Sequence, residues 1–207
     1  MKHISTPLRT LSETNPSLQK TLEDNLLQHK LFDTRTCLIS GGVDSKVAED
    51  TITKLLVWDN ENDKTIQLFI NSPGGEVNSG LAIYDTIRFI NSPVAVISAG
   101  LCASIATIIN CAVDPEMRFS LPNTKFLIHQ PLIMGRIQGQ ASDLEIHADD
   151  ILKTRDRLNH ILAHACKQAV KKVEKDTLRD YWMNAKEAKE YGLISNIIEY
   201  KSDLHFP

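Results

Sequence analysis

Ser104 and His129 are the two side chains of this chain whose type and setting suit covalent chemistry. Ser104 lies in Ser98-Ala99-Gly100-Leu101-Cys102-Ala103-Ser104-Ile105-Ala106, and His129 in Phe126-Leu127-Ile128-His129-Gln130-Pro131. Each stands at the edge of a small or apolar run. Burying a hydroxyl or an imidazole without a partner costs about 1–3 kcal/mol, so the two are plausible partners for each other. A serine paired with a histidine is an activated nucleophile, and the chemistry it suggests is acyl transfer. A serine where strand and turn give way to a helix also gains from nearby amides that stabilise developing negative charge. The GxSxG elbow is absent, because Ala106 stands where its final glycine would be. The local pattern also fits a small packing serine among Ala103, Ala106 and Thr107 and a hydrogen-bonded structural histidine. A triad needs an acid as well, and the 26 Asp and Glu residues leave that choice open.

Ser72-Pro73-Gly74-Gly75 follows an apolar run, and two glycines there let the backbone approach a ligand and aim an N–H at it. No GK[ST] follows, so it is not a phosphate loop. His160 and His164 have i,i+4 spacing but lack the glutamate of HExxH. No metal site is assigned. Cys37, Cys102, Cys111 and Cys166 show no CxxC spacing and read as core residues of a reducing compartment.

These groups need a scaffold. With 207 residues, 42% hydrophobic and 24% charged, the chain has the size and composition of one globular domain. A net charge of -3 with scattered basic residues excludes a typical nucleic-acid binder. Residues 94–113 carry no charge over a span long enough for a membrane helix, but Ser98, Gly100, Ser104, Thr107 and Asn110 interrupt the run. A strand, a tight turn at Ala99-Gly100 and a buried helix account for it better. The N-terminus has no apolar signal region, and the expected location is the cytoplasm.

Residues 1–20 read as an arm and 21–207 as a single domain. Helical spacing appears over 22–32, over 45–58 behind an Asp44 or Ser45 cap with Val47, Ile52, Leu55 and Leu56 inward, and over 78–90. It appears again from about 103, over 142–168, and over 185–191 with Gly192 as C-cap. Strands are expected at 36–40, 65–71, 94–98, 126–128 and 193–198. The alternation predicts an α/β fold with a mainly parallel sheet. The start of the long helix, beyond a glycine-containing connection at 135–140, is expected to project from the body and contact another copy.

Asn71-Ser72-Pro73-Gly74-Gly75, Ala103-Ser104, Ile128-His129-Gln130-Pro131, Gly139-Gln140-Ala141-Ser142-Asp143-Leu144-Glu145-Ile146 and Asp176-Thr177-Leu178-Arg179-Asp180 occur in this order. Together they resemble the ClpP family, the serine peptidase subunits of the ATP-dependent Clp protease, over about residues 22–198. The resemblance implies a ClpP/crotonase-like spiral of βαβ units with a protruding handle, strand plus long helix, at about 133–165. It implies Ser104 as nucleophile, His129 as general base and Asp180 as orienting acid, with an oxyanion hole from the N–H groups of Gly75 and Ile105. Heptameric rings paired into a tetradecamer are implied too, fed with unfolded proteins by a AAA+ unfoldase of the ClpX, ClpA or ClpC type. ATP would be spent by that partner; the chain has no Walker A motif and no cofactor of its own is expected.

Three departures stand out. The family usually has Ala-Ala-Ser-Met-Gly around the nucleophile, where this chain has Cys102-Ala103-Ser104-Ile105-Ala106. The segment after Pro131 is about two residues longer than the common form, and Leu178 stands where an acid is frequent beside Arg179. They resemble divergent paralogues that share a barrel with a second ClpP-type subunit, so a weakly active or inactive ring-building subunit is the alternative reading. A crotonase-type acyl-CoA enzyme shares the spiral and a paired N–H hole, but it works through carboxylates and needs no Ser-His pair.

Overall fold

The computed structural model describes residues 26–27, 29–132 and 140–206. By contacts the chain divides into residues 1–36 and 37–207. Residues 29–33 of the first unit are helical, whereas the expected arm at 1–20 lies outside the described residues.

The second unit is built on a sheet ordered β1-β2-β3-β4-β7, with β5 pairing both β3 and β6. Its strands are β1 (Thr36–Ser40), β2 (Ile66–Ser72), β3 (Val94–Ala103), β4 (Arg118–Ser120), β5 (Lys125–Ile128), β6 (Tyr181–Asn184) and β7 (Asn196–Ile197). The pairs β2/β3, β3/β4, β3/β5 and β4/β7 are parallel, and β5/β6 is antiparallel. The mixed α/β architecture is the one expected.

Helix α1 (Ser45–Glu61) begins where the Asp44 side chain accepts from the Val47 N–H at 2.8 Å. It runs one turn beyond the expected Trp58, and its buried stripe is Ala48, Thr51, Leu55 and Trp58. Of the four residues expected inward, Leu55 alone is fully buried; Leu56 is exposed, and Val47 and Ile52 are half-buried. Trp58 sets this phase: the largest buried side chain selects the face with its i-3 and i-7 neighbours. Helix α2 (Val77–Phe89) lies within one residue of its expected limits.

β3 corrects the expected turn at Ala99-Gly100. The strand runs straight through, and Gly100, at φ +72°, kinks it rather than ending it. The Leu101 N–H turns to the Asn71 side-chain oxygen at 3.2 Å. Residues 96–98 pair with β4, and residues 101–103 pair with β5. A single kinked strand thus changes neighbours midway and delivers Ser104 to the end of β5. Helix α3 (Ile105–Asn110), every residue buried, follows Ser104 directly. The uncharged run 94–113 is therefore a core strand and a core helix. Among the described residues no helix is long and apolar enough to cross a membrane.

Helix α4 (Ala141–Ala165) ends three residues short of expectation. Residues 142–150 are exposed, including Leu144 and Ile146, and burial sets in only at Leu158, Asn159, Leu162 and Ala163. Its first half therefore stands clear of the core, as expected for a projecting element; the start of the expected handle, from about 133, and the glycine-containing connection up to 139 lie outside the described residues. Helices α5 (Val170–Thr177) and α6 (Ala185–Tyr191) complete the fold, α6 opening at the Asn184 cap and closing at Gly192 with φ +97°. Two strands, β4 and β6, were not expected, and the one expected over 193–198 is only the two-residue β7.

Candidate active site

Ser104 sits at the junction of β3 and α3 with φ 58° and ψ -127°, a conformation that L-residues avoid. Strain of this kind costs on the order of 1–3 kcal/mol and persists only where surroundings enforce it. They do so here through three hydrogen bonds. The Ser104 N–H donates to the Leu127 carbonyl at 2.8 Å, and the Ser104 carbonyl accepts from the Thr107 N–H at 3.0 Å and its hydroxyl at 2.6 Å.

His129 follows the last residue of β5. Its Nε2 lies 2.8 Å from Ser104 Oγ and its Nδ1 lies 3.2 Å from Asp180 Oδ1. The bond types fix the tautomer: a carboxylate accepts, so Nδ1 carries the proton and Nε2 offers its lone pair to the serine hydroxyl. The imidazole is 14% exposed and the carboxylate 61%. Asp180 gets there by register. β6 pairs with β5 so that Ile128 faces Tyr181, and one step further places residue 180 beside residue 129.

The two glycines after Pro73 close against this junction. The Gly74 N–H donates to Ser72 Oγ at 3.0 Å, and that hydroxyl donates to the Gly41 carbonyl at 2.6 Å. Val43 donates to the Gly74 carbonyl at 2.9 Å and accepts from the Glu76 N–H at 2.7 Å. A Cβ on Gly74 would lie 2.6 Å from the Ser104 Cβ, and one on Gly75 would overlap the Val43 backbone. The backbone of Gly74 thus lies within van der Waals reach of the serine, and Gly75 follows it directly. The Ile105 N–H is the first amide of α3, one of those that a helix leaves without an internal partner. Gly80 on α2 is equally required, because its Cβ would overlap the Ile105 side chain.

Beside Ser104 and His129 opens a cleft walled by Val77, Ile108, Ile128, Leu158 and Leu162, with Asn159 among them. Among the described residues no group of His, Cys, Asp or Glu is placed to hold a metal ion. His160 Nδ1 donates to the Asp156 carbonyl at 2.7 Å.

All five residues singled out from the sequence therefore belong to this one neighbourhood. Sequence reasoning missed what holds Asp180. The Gln130 N–H donates to the Thr177 carbonyl at 2.8 Å and its side chain to the Leu178 carbonyl at 3.1 Å. Gln130 and Thr177 both lie in motifs that carry the family resemblance, but no local pattern in the sequence ties one to the other.

A hydroxyl, an imidazole and a carboxylate in series, with the first amide of α3 next to the serine, form an arrangement able to attack an acyl carbon and to stabilise developing negative charge. Comparison with known proteins agrees with that class. Residues 19–201 match the model of the Clp protease family. The chain is 45% identical over 196 residues to the ATP-dependent Clp protease proteolytic subunit 2 of Gluconobacter oxydans, spanning 93% of this chain and 87% of that one. It is 44% identical over 173 residues to the protein of the same name from Pseudomonas aeruginosa, spanning 84% and 85%. A solved ClpP1 mutant from Listeria monocytogenes superposes with a TM-score of 0.79 at 41% identity, covering 86% of this chain and 99% of that one. The chain belongs to the Clp protease family. It is a ClpP-type proteolytic subunit, and its activity is that of a peptidase.

Proposed function

We propose that this subunit is a serine endopeptidase in which Ser104 attacks the peptide carbonyl, His129 takes its proton and Asp180 holds the imidazole. The observation that carries this reading is the unbroken series of contacts Ser104–His129–Asp180 at 2.8 and 3.2 Å. His129 passes the proton to the leaving amine, water hydrolyses the acyl-enzyme, and Asp180 stabilises the imidazolium meanwhile. The amides of Gly75 and Ile105 receive the oxyanion.

The assembly proposed is the family's: heptameric rings stacked as a tetradecamer in the cytoplasm, enclosing the sites. A AAA+ unfoldase of the ClpX, ClpA or ClpC type spends the ATP and threads unfolded proteins in for quality control. The exposed apolar residues Leu144, Ile146 and Leu152 on the projecting part of α4 support a role for that helix in contact between copies.

A fluorophosphonate probe tests the chemistry, with the labelled residue mapped by mass spectrometry. Labelling at Ser104 that disappears in His129→Ala supports the triad. Absence of labelling in assembled rings, alone and with a second ClpP-type subunit, points instead to a ring-building paralogue. Labelling only in the mixture makes the subunit conditional on its partner.

A further inference from the structure

An exposed carboxylate cannot be positioned by packing. Asp180 is 61% exposed, yet its oxygen must stay within hydrogen-bond reach of His129. Its place is therefore dictated by its backbone, which is clamped on both sides. After Asp180 the clamp is the β5/β6 ladder, in which Ile128 faces Tyr181. Before it, Gln130 holds the carbonyls of Thr177 and Leu178.

The second clamp is only as firm as the end of α5, and there a buried polar group secures it. Thr177 is 1% exposed, and its hydroxyl lies 2.9 Å from the Val173 carbonyl and 3.0 Å from Asn159 Oδ1 on α4. A hydroxyl has one proton, and a carbonyl can only accept. If the proton goes to Val173, the amide must donate its own N–H to the threonine oxygen; an asparagine can present either atom. Asn159, itself 3% exposed, is thus matched to Thr177 whichever way the proton points.

Building on the serine-peptidase reading, we infer that Thr177, Asn159 and Gln130 form a positioning network that fixes Asp180 against His129. The network makes catalysis depend on the seating of α4. None of the three touches the reacting atoms in this role. Thr177 and Gln130 act through the acid, so their effect falls on turnover rather than on binding; Asn159 also lines the cleft beside Ser104 and is left out of the test.

The test uses the assembled full-length protein, a fluorogenic peptide and the variants Thr177→Val and Thr177→Ser. The valine deletes the hydroxyl at nearly constant volume. It is expected to lower kcat about 10- to 100-fold with KM held within about twofold. Assembly size should match wild type, the thermal midpoint should fall modestly because Asn159 loses a buried partner, and the serine variant should restore both stability and turnover. In an Asp180→Asn background, Thr177→Val should cause no further loss, because a residue acting through Asp180 has nothing left to position. If the valine variant does not fold, Gln130→Met, at a half-buried position, tests the same clamp against the same background. Wild-type kcat in these variants, failure of serine to rescue, or a loss that multiplies in full onto Asp180→Asn each overturns the network. A wild-type protein whose Ser104 is never labelled overturns instead the serine-peptidase reading on which it rests.

Discussion

Gly74 and Ser104 are so close that a methyl group on the glycine would lie 2.6 Å from the serine Cβ and 2.7 Å from the Ala103 carbonyl. The turn after β2 and the junction after β3 are therefore one unit, locked by the absence of a side chain. Gly74 also has φ +92°, which penalises any L-residue. Gly74→Ala must push the two turns apart, and the expected result is a fall of at least about 100-fold in the rate of fluorophosphonate labelling. Thermal unfolding should show a destabilisation of about 1–3 kcal/mol. Normal labelling would show that this contact does not set the nucleophile.

The strain at Ser104 predicts a conflict between stability and activity. Replacing the serine by alanine or by glycine removes the hydroxyl in both cases, and neither variant should hydrolyse peptides. At φ 58° the alanine retains the strained conformation, whereas glycine adopts it freely. Ser104→Gly is accordingly expected to be more stable than Ser104→Ala by about 1 kcal/mol, reversing the usual order of these two residues. Denaturant midpoints of the two variants provide the comparison.

Legibility from sequence followed locality. The glycine stop of α6 at Gly192 and the limits of β1 are set by neighbouring residues, and they read correctly. The serine and histidine were legible because each interrupts an apolar run. Asp180 was not distinguishable among 26 acids by any local pattern, since its place depends on the pairing of β6 with β5 over some fifty positions; only the family motif pointed to it. The kink at Gly100 failed for the opposite reason. A glycine beside a serine-containing run signals a turn locally, and the strand persists because Asn71 on a neighbouring strand satisfies the Leu101 N–H.

Alkaline pH should weaken the fold by a mechanism involving buried acids. Cys102 is fully buried, and burial pushes its thiol up to about 12. An unfolded cysteine ionises near about 8.5. Below that pH both states hold the proton and the thiol has no effect. Above it the unfolded chain loses the proton while the folded one keeps it, so stability falls as pH rises, by about 1.4 kcal/mol per unit for each such group until the folded thiol ionises. Tyr191 acts in the same direction, its phenol raised by burial and by the hydrogen bond to Asp176. Urea titrations between pH 8 and 11 should show the decline, and Cys102→Ala should make it shallower. An unchanged slope in that variant would remove Cys102 as a contributor.

Leu55 and Leu56 are adjacent, equally apolar and indistinguishable by composition, yet they lie on opposite sides of the α1 boundary. Leu55 is 0% exposed and belongs to the stripe with Thr51 and Trp58, whereas Leu56 is 39% exposed. Truncating the first leaves a buried cavity, with an expected loss of about 2–5 kcal/mol. Truncating the second removes a side chain already in contact with solvent, and the isolated subunit should change by no more than about 0.5 kcal/mol. Denaturant unfolding of Leu55→Ala and Leu56→Ala under conditions that keep the subunits apart measures both. If the pair behaves alike, the phase of α1 is wrong. If Leu56→Ala is silent in the separated subunit but weakens the assembled particle, the exposed edge of α1 is covered by another copy.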